Sequence, residues 1–155
     1  MVNEMIDNNI KYIREYMGLT QKELGNIFNV HESTISGWET AKDSIPLAKL
    51  NKLSNISNYS IDYILGLNKT NINYTKLEVL NKKEIGKNLK KLRTYLNLSQ
   101  DKLSKSCNIS QTAYSNYEQG VYLINTISLY SICKKYNKSM DKLLGKVETQ
   151  ELIKN

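Results

Sequence analysis

Residues 19–39 read LTQKELGNIFNVHESTISGWE, and residues 98–118 read LSQDKLSKSCNISQTAYSNYE. The second stretch repeats the first at a spacing of 79. Each opens with a helix-start signal. In Thr20-Gln21-Lys22-Glu23 the hydroxyl and the carboxylate three residues later can each satisfy a free N–H, as a capping box does. Ser99 can cap the copy, although Lys102 cannot complete the box. The helix that follows is short, buries Leu24 and Phe28 in one copy and Leu103 and Cys107 in the other, and breaks at Asn29 or Asn108. Another then runs from about Glu32 to Thr40, or Gln111 to Gln119, with Ile35 and Trp38, or Tyr114 and Tyr117, turned inward.

The repetition extends well beyond these stretches. Ile6 to Gly66 set against Ile85 to Gly145, without a gap, agree at 18 of 61 positions, among them Arg14/Arg93, Gln21/Gln100, Ser36/Ser115, Glu39/Glu118 and Asp62/Asp141. Ahead of the quoted stretch, Ile6, Ile10, Ile13 and Met17 recur at helical intervals, as do Ile85, Leu89, Leu92 and Leu96. These first helices stop near Gly18 and Asn97. Beyond it, Pro46 suits the first turn of a fourth helix that buries Leu47, Leu50 and Leu53. A fifth starts at Ser60 or Ser139 and ends at Gly66 or Gly145. No comparable alternating strand pattern appears. The chain therefore reads as all-α, with two tandem five-helix units at 1–68 and 83–146, a linker at 69–82 and a tail at 147–155 in which Val147, Leu152 and Ile153 are the apolar residues.

The charge is divided unequally between the units. The chain carries a net charge of +7, with 22 Lys and Arg against 15 Asp and Glu. Residues 1–68 account for −2 and residues 69–155 for +9, so the attraction to a polyanion belongs to the second half. All but two of the cations are Lys, the exceptions being Arg14 and Arg93. No apolar run approaches a membrane span and the start MVNEMIDNNI lacks a signal-peptide core, so a cytoplasmic protein is expected, without a membrane partner. Cys107 and Cys133 are too few for a disulfide scaffold and lack metal-ligand spacing. The lone His31, with no second His or nearby Cys, gives no metal or catalytic site. There is no Ser/His/Asp set and no Gly-rich phosphate loop, so no enzyme and no cofactor are expected.

Two short helices joined by a tight turn within a five-helix unit form a helix-turn-helix arrangement. The two quoted stretches, with the endings SIDYILG and SMDKLLG, resemble the lambda-repressor-like, Cro/C1-type (XRE) family across both repeats. The resemblance implies sequence-specific binding of double-stranded DNA by a bacterial or phage transcriptional regulator, a repressor, with the third helix in the major groove. By that likeness Gln111, Thr112 and Asn116 read bases in repeat two, where Gln and Asn match adenine and Thr can touch a thymine methyl. Repeat one carries Glu32, Ser33 and Gly37 at those places, a poorer set. Gln21 and Gln100 stand where the family holds a phosphate, and Lys90 and Lys91, within a basic run from Lys82, are further phosphate candidates. Arg14 and Arg93 precede Glu39 and Glu118 by the same 25 residues, the place of the family's structural ion pair. Trp38 and Tyr117, each one before the acid, read as core anchors.

With both arginines so committed, Gln, Thr and Asn favour an A·T-rich operator. The expected activity is a transcriptional regulator whose second domain is the stronger reader. The alternative is a protein-interaction module, such as an antitoxin or anti-repressor, built on the same fold. A homodimer is compatible with either, with repeat one reading DNA or pairing chains. No segment is left over for a small-molecule ligand.

Overall fold

The computed structural model describes residues 7–149, and in them the chain forms ten helices. These are α1 (Ile10–Tyr16), α2 (Gln21–Phe28), α3 (Glu32–Glu39), α4 (Leu47–Ser57), α5 (Ile61–Ile64), α6 (Lys82–Tyr95), α7 (Gln100–Ser106), α8 (Gln111–Glu118), α9 (Thr126–Tyr136) and α10 (Met140–Leu143). They fall into two compact units, the first ending at Asn73 and the second starting at Tyr74. Helices α3, α4 and α5 recur 79 residues later as α8, α9 and α10, which is the sequence repeat in three dimensions.

Local chemistry sets most boundaries. Thr20 accepts from the Glu23 N–H and Glu23 accepts from the Thr20 N–H, both at 3.1 Å, completing the capping box. Those hydrogen bonds to Thr20 hold the Glu23 carboxyl below its ordinary range. Ser99, Ser60 and Ser139 cap α7, α5 and α10 through their hydroxyls. Asn29, Asn58, Asn97, Asn108 and Asn137 leave helices in the left-handed conformation, which a short polar side chain tolerates. Pro46 stands one position earlier than its sequence suggests, as the residue before α4 rather than in its first turn.

Each unit closes on its own apolar core. In the first, Ile10, Ile13, Leu24, Ile35, Leu50 and Ile61 are fully buried, and Trp38 meets the Phe28 ring edge-on at 5.9 Å between centroids. In the second, Leu89, Leu92, Leu103, Tyr114, Leu129 and Met140 take the equivalent places. Each such side chain contributes about 1.5–3 kcal/mol of burial. Met17 and Leu96, at the ends of their apolar stripes, are only half-buried, since they cap α1 and α6. Ile6, Leu152 and Ile153 lie outside the described residues.

The stretch 69–82 is shared between the units. Asn71 belongs to the first: its side-chain oxygen accepts from the Ser60 N–H at 2.8 Å, and its amide donates to the Asn58 carbonyl. Thr75 belongs to the second, donating its N–H to the Val147 carbonyl at 2.8 Å beside a single antiparallel bridge between Tyr74 and Glu148. Val147 donates back to the Thr75 hydroxyl, so the start of the tail is fastened to the stretch before α6. Asn81 caps α6, Leu77 is half-buried and Val79 is 81% exposed.

Candidate nucleic-acid interface

In both units three elements are tied by one buried charge cluster. Arg14 on α1 donates from Nε to Glu39 Oε1 at 2.8 Å, and its Nη1 reaches the Leu19 carbonyl at 2.8 Å. Gln21, opening α2, donates to the other Glu39 oxygen at 3.2 Å. Unit two repeats every part. Arg93 donates from Nε to Glu118 Oε1 and from Nη2 to Oε2 at 3.2 Å, while Nη1 holds the Leu98 carbonyl at 3.0 Å. Gln100 donates to Glu118 Oε2 at 2.8 Å. An arginine fork is suited to this, because it grips a carboxylate and a backbone oxygen at once.

Both carboxylates are almost fully enclosed, with 3% and 4% of their side chains exposed. Burial alone would push the Glu118 carboxyl up. Hydrogen bonds from Arg93, Gln100 and Tyr114 outweigh it and hold the group below its ordinary range. Tyr114, the counterpart of Ile35, is fully buried. Burial first, and then the neighbouring Glu118, push its hydroxyl far up, so it stays protonated and donates to the Leu89 carbonyl at 3.5 Å. Sequence reasoning placed Tyr114 in the core but gave no sign that its hydroxyl joins the cluster.

Gln21 and Gln100 are thus turned toward the glutamates rather than left free at the helix starts. The cause is electrostatic: a buried carboxylate with acceptor capacity to spare attracts the nearest amide donor. Each amide nitrogen keeps one further N–H, so the inward bond and an outward contact are compatible.

The outer faces of the two third helices differ. On α8, Gln111 and Thr112 are exposed and Asn116 half-exposed, and none of the three side chains has a hydrogen-bond partner among the described residues. Ser110 caps the helix, and Ser115 is taken by the Gln119 amide at 3.0 Å. On α3, Glu32 and Ser33 are exposed, but the Ser33 hydroxyl lies 2.8 Å from His31 Nδ1, and the same nitrogen accepts the Ser33 N–H at 3.1 Å. His31 is therefore the cap of α3, a role that histidine's low capping frequency hid in the sequence. Gly37, the counterpart of Asn116, is covered: Asp43 folds back to donate its N–H to the Gly37 carbonyl at 3.1 Å, and a Cβ at Gly37 would run into the Asp43 carboxylate. The first unit thus presents Glu32 and Asp43 where the second presents neutral amides.

Lys82, Lys83, Lys87, Lys90 and Lys91 are exposed along α6, and among the described residues only Lys87 of these is in an ion pair, to Glu84 at 3.4 Å. Trp38 and Tyr117 are 3% and 9% exposed and belong to the cores. Among the described residues no group of three His, Cys, Asp or Glu could hold a metal, and no helix is long and apolar enough to cross a membrane.

A helix-turn-helix family model matches the chain twice, at residues 10–64 and 89–143. Over 74 residues the chain is 38% identical to the antitoxin PezA of Streptococcus pneumoniae serotype 4, a match covering 44% of this chain and 47% of the relative. The chain thus spans about half the length of that curated relative. Among solved structures, the clp gene regulator ClgR from Corynebacterium glutamicum matches with a TM-score of 0.40 and 22% identity, over 44% of this chain and 72% of that one.

Proposed function

Since the chain belongs to the Cro/C1-type helix-turn-helix family, we propose that it is a sequence-specific, double-stranded-DNA-binding transcriptional regulator, acting as a repressor, in which the second unit is the stronger reader. The observation that carries this reading is the state of α8. Its scaffold side is locked by Arg93, Gln100 and Glu118, while Gln111, Thr112 and Asn116 are left unpartnered on its outer side. Donors and acceptors held rigidly and without internal partners are what base-edge recognition needs. With α8 in the major groove, the second amide N–H of Gln100 and the ammonium groups of Lys90 and Lys91 would serve phosphate oxygens. Gln21 offers the same to a phosphate in the first unit, where Glu32, Ser33 and the Asp43-covered Gly37 make a poorer reader. The operator is A·T-rich, because no arginine remains on the reading surface to take guanine.

Selection of bound duplexes from a random pool by the full chain tests this. An A·T-rich consensus is expected, and Gln111→Ala should relax preference at one position at a cost of about 1–3 kcal/mol in discrimination. An unchanged consensus would count against the placement of α8, and no salt-sensitive duplex binding at all would refute the DNA reading.

A second reading draws on the likeness to the antitoxin PezA. In it the same fold binds another protein, and DNA contact is secondary or lost. Capture of one protein partner whose binding survives Gln111→Ala, with no selected DNA sequence, would favour it.

A further inference from the structure

The duplication supplies an internal control for every surface, and one face has diverged sharply. On α1 and at the α4–α5 junction, four tyrosines of the first unit lie together: Tyr16 meets Tyr59 edge-on at 5.7 Å, Tyr59 stacks on Tyr63 at 5.1 Å, and Tyr12 stands one turn before Tyr16 on α1. Tyr12 and Tyr16 remain 52% and 69% exposed, and Ile56, just before the junction, is 41% exposed. At the equivalent places the second unit has Lys91, Tyr95, Lys138 and Lys142, with Lys135 for Ile56. There Lys138 caps the one remaining ring, its ammonium 5.4 Å from the Tyr95 centroid, and Lys142 pairs with Glu148 at 3.1 Å. The same fold therefore stands with lysine at this face, and the first unit's tyrosines are not required by the core.

We propose that the tyrosine face of the first unit is the surface through which two copies of this chain associate, unit one against unit one about a twofold axis. An isologous contact demands a patch that matches itself, and a set of neutral rings with hydroxyl edges does so, whereas the lysine version of this face would repel its own copy. Tyrosine is enriched and lysine depleted at the centres of protein interfaces. A polyanion does not suit the face, since Glu15 adjoins Tyr16 and the unit's net charge is −2. Tyr12 and Tyr16 together offer on the order of 250 Å² to a partner. That is the aromatic centre of an interface of about 800 Å² per side and fits a weak dimer rather than an obligate one. The proposal is independent of the DNA reading, because it needs no operator.

Sedimentation of the full chain without DNA, from about 1 to about 200 μM, should show a monomer–dimer equilibrium with a micromolar midpoint. Replacing Tyr12, Tyr59 and Tyr63 by lysine gives the first unit the residues that the second already carries. This triple variant should keep its helical circular dichroism and weaken dimerisation about tenfold or more. Lys91→Tyr in the second unit should leave the equilibrium unchanged. A chain that stays monomeric throughout, or a triple variant that is folded and dimerises as before, would overturn the proposal. So would a dimer that dissociates as salt is raised, because that is the signature of a tyrosine face docked on the lysine face of the other unit.

Discussion

A glutamate as the last residue of a helix is poorly placed, since the backbone dipole puts partial negative charge at that end. Glu39 and Glu118 both end third helices, and both are buried as well. They are stable there because each accepts from an arginine, and a glutamine completes the cage. Glu118→Ala would leave the Arg93 fork and the Gln100 amide without their carboxylate acceptor, and is expected to cost about 3–5 kcal/mol in the urea unfolding of unit two. The linkage to pH follows from the depressed native value of Glu118. Its stabilisation is fully present above the ordinary carboxyl range and is lost as pH falls through the lowered value. Unit two should therefore lose stability in acid, and Glu118→Gln should flatten that limb in denaturation profiles taken below about pH 5. The two Arg–Glu pairs were legible in the sequence because the family resemblance implies an ion pair at these places and the spacing of 25 occurs twice. The inward turn of Gln21 and Gln100 was not, because an amide at a helix start reads the same whether it faces solvent or a carboxylate.

At the level of helices, the packing of α6 on α8 depends on an absent side chain. A Cβ at Gly86 would meet the Glu118 and Tyr117 carbonyl oxygens, which belong to backbone and cannot swing aside. Gly86→Ala should therefore destabilise unit two by about 1–3 kcal/mol and displace α8, seen as weaker duplex binding even in protein that remains folded. The α3–α4 turn offers the opposite case. Ala41 is held left-handed at φ 59° where the second unit has Gly120 at φ 70°. Ala41→Gly should stabilise unit one by about 0.5–1 kcal/mol, after the greater freedom of glycine in the unfolded chain is set against the relieved strain. An unchanged midpoint would mean that the turn relaxes without help. Helix starts and stops were largely readable, since Thr20, Ser60, Ser99 and Ser139 cap by their own chemistry and the asparagines terminate by theirs. The cover that Asp43 places over Gly37 was not readable, because it depends on how a loop folds back rather than on any periodicity.

For the whole molecule, the repeat and the charge division were plain from the sequence, because an ungapped duplication preserves every helical interval at once. The division of residues 69–82 between the units was not, since Asn71 and Thr75 are each fastened by a pair of hydrogen bonds that leave no compositional trace. If unit two supplies most phosphate contacts, removing both Lys90 and Lys91 should weaken binding about equally for all sequences and lower the slope of log affinity against log salt by roughly 2. An unaltered slope would place DNA elsewhere than against α6. The duplicated architecture also has a spectroscopic consequence. The chain holds one tryptophan, Trp38, packed edge-on to Phe28 in the core of unit one. Its emission during unfolding reports that unit alone, while the helical signal reports both. The interval between the two midpoints therefore measures, without any label, how differently the two units resist unfolding.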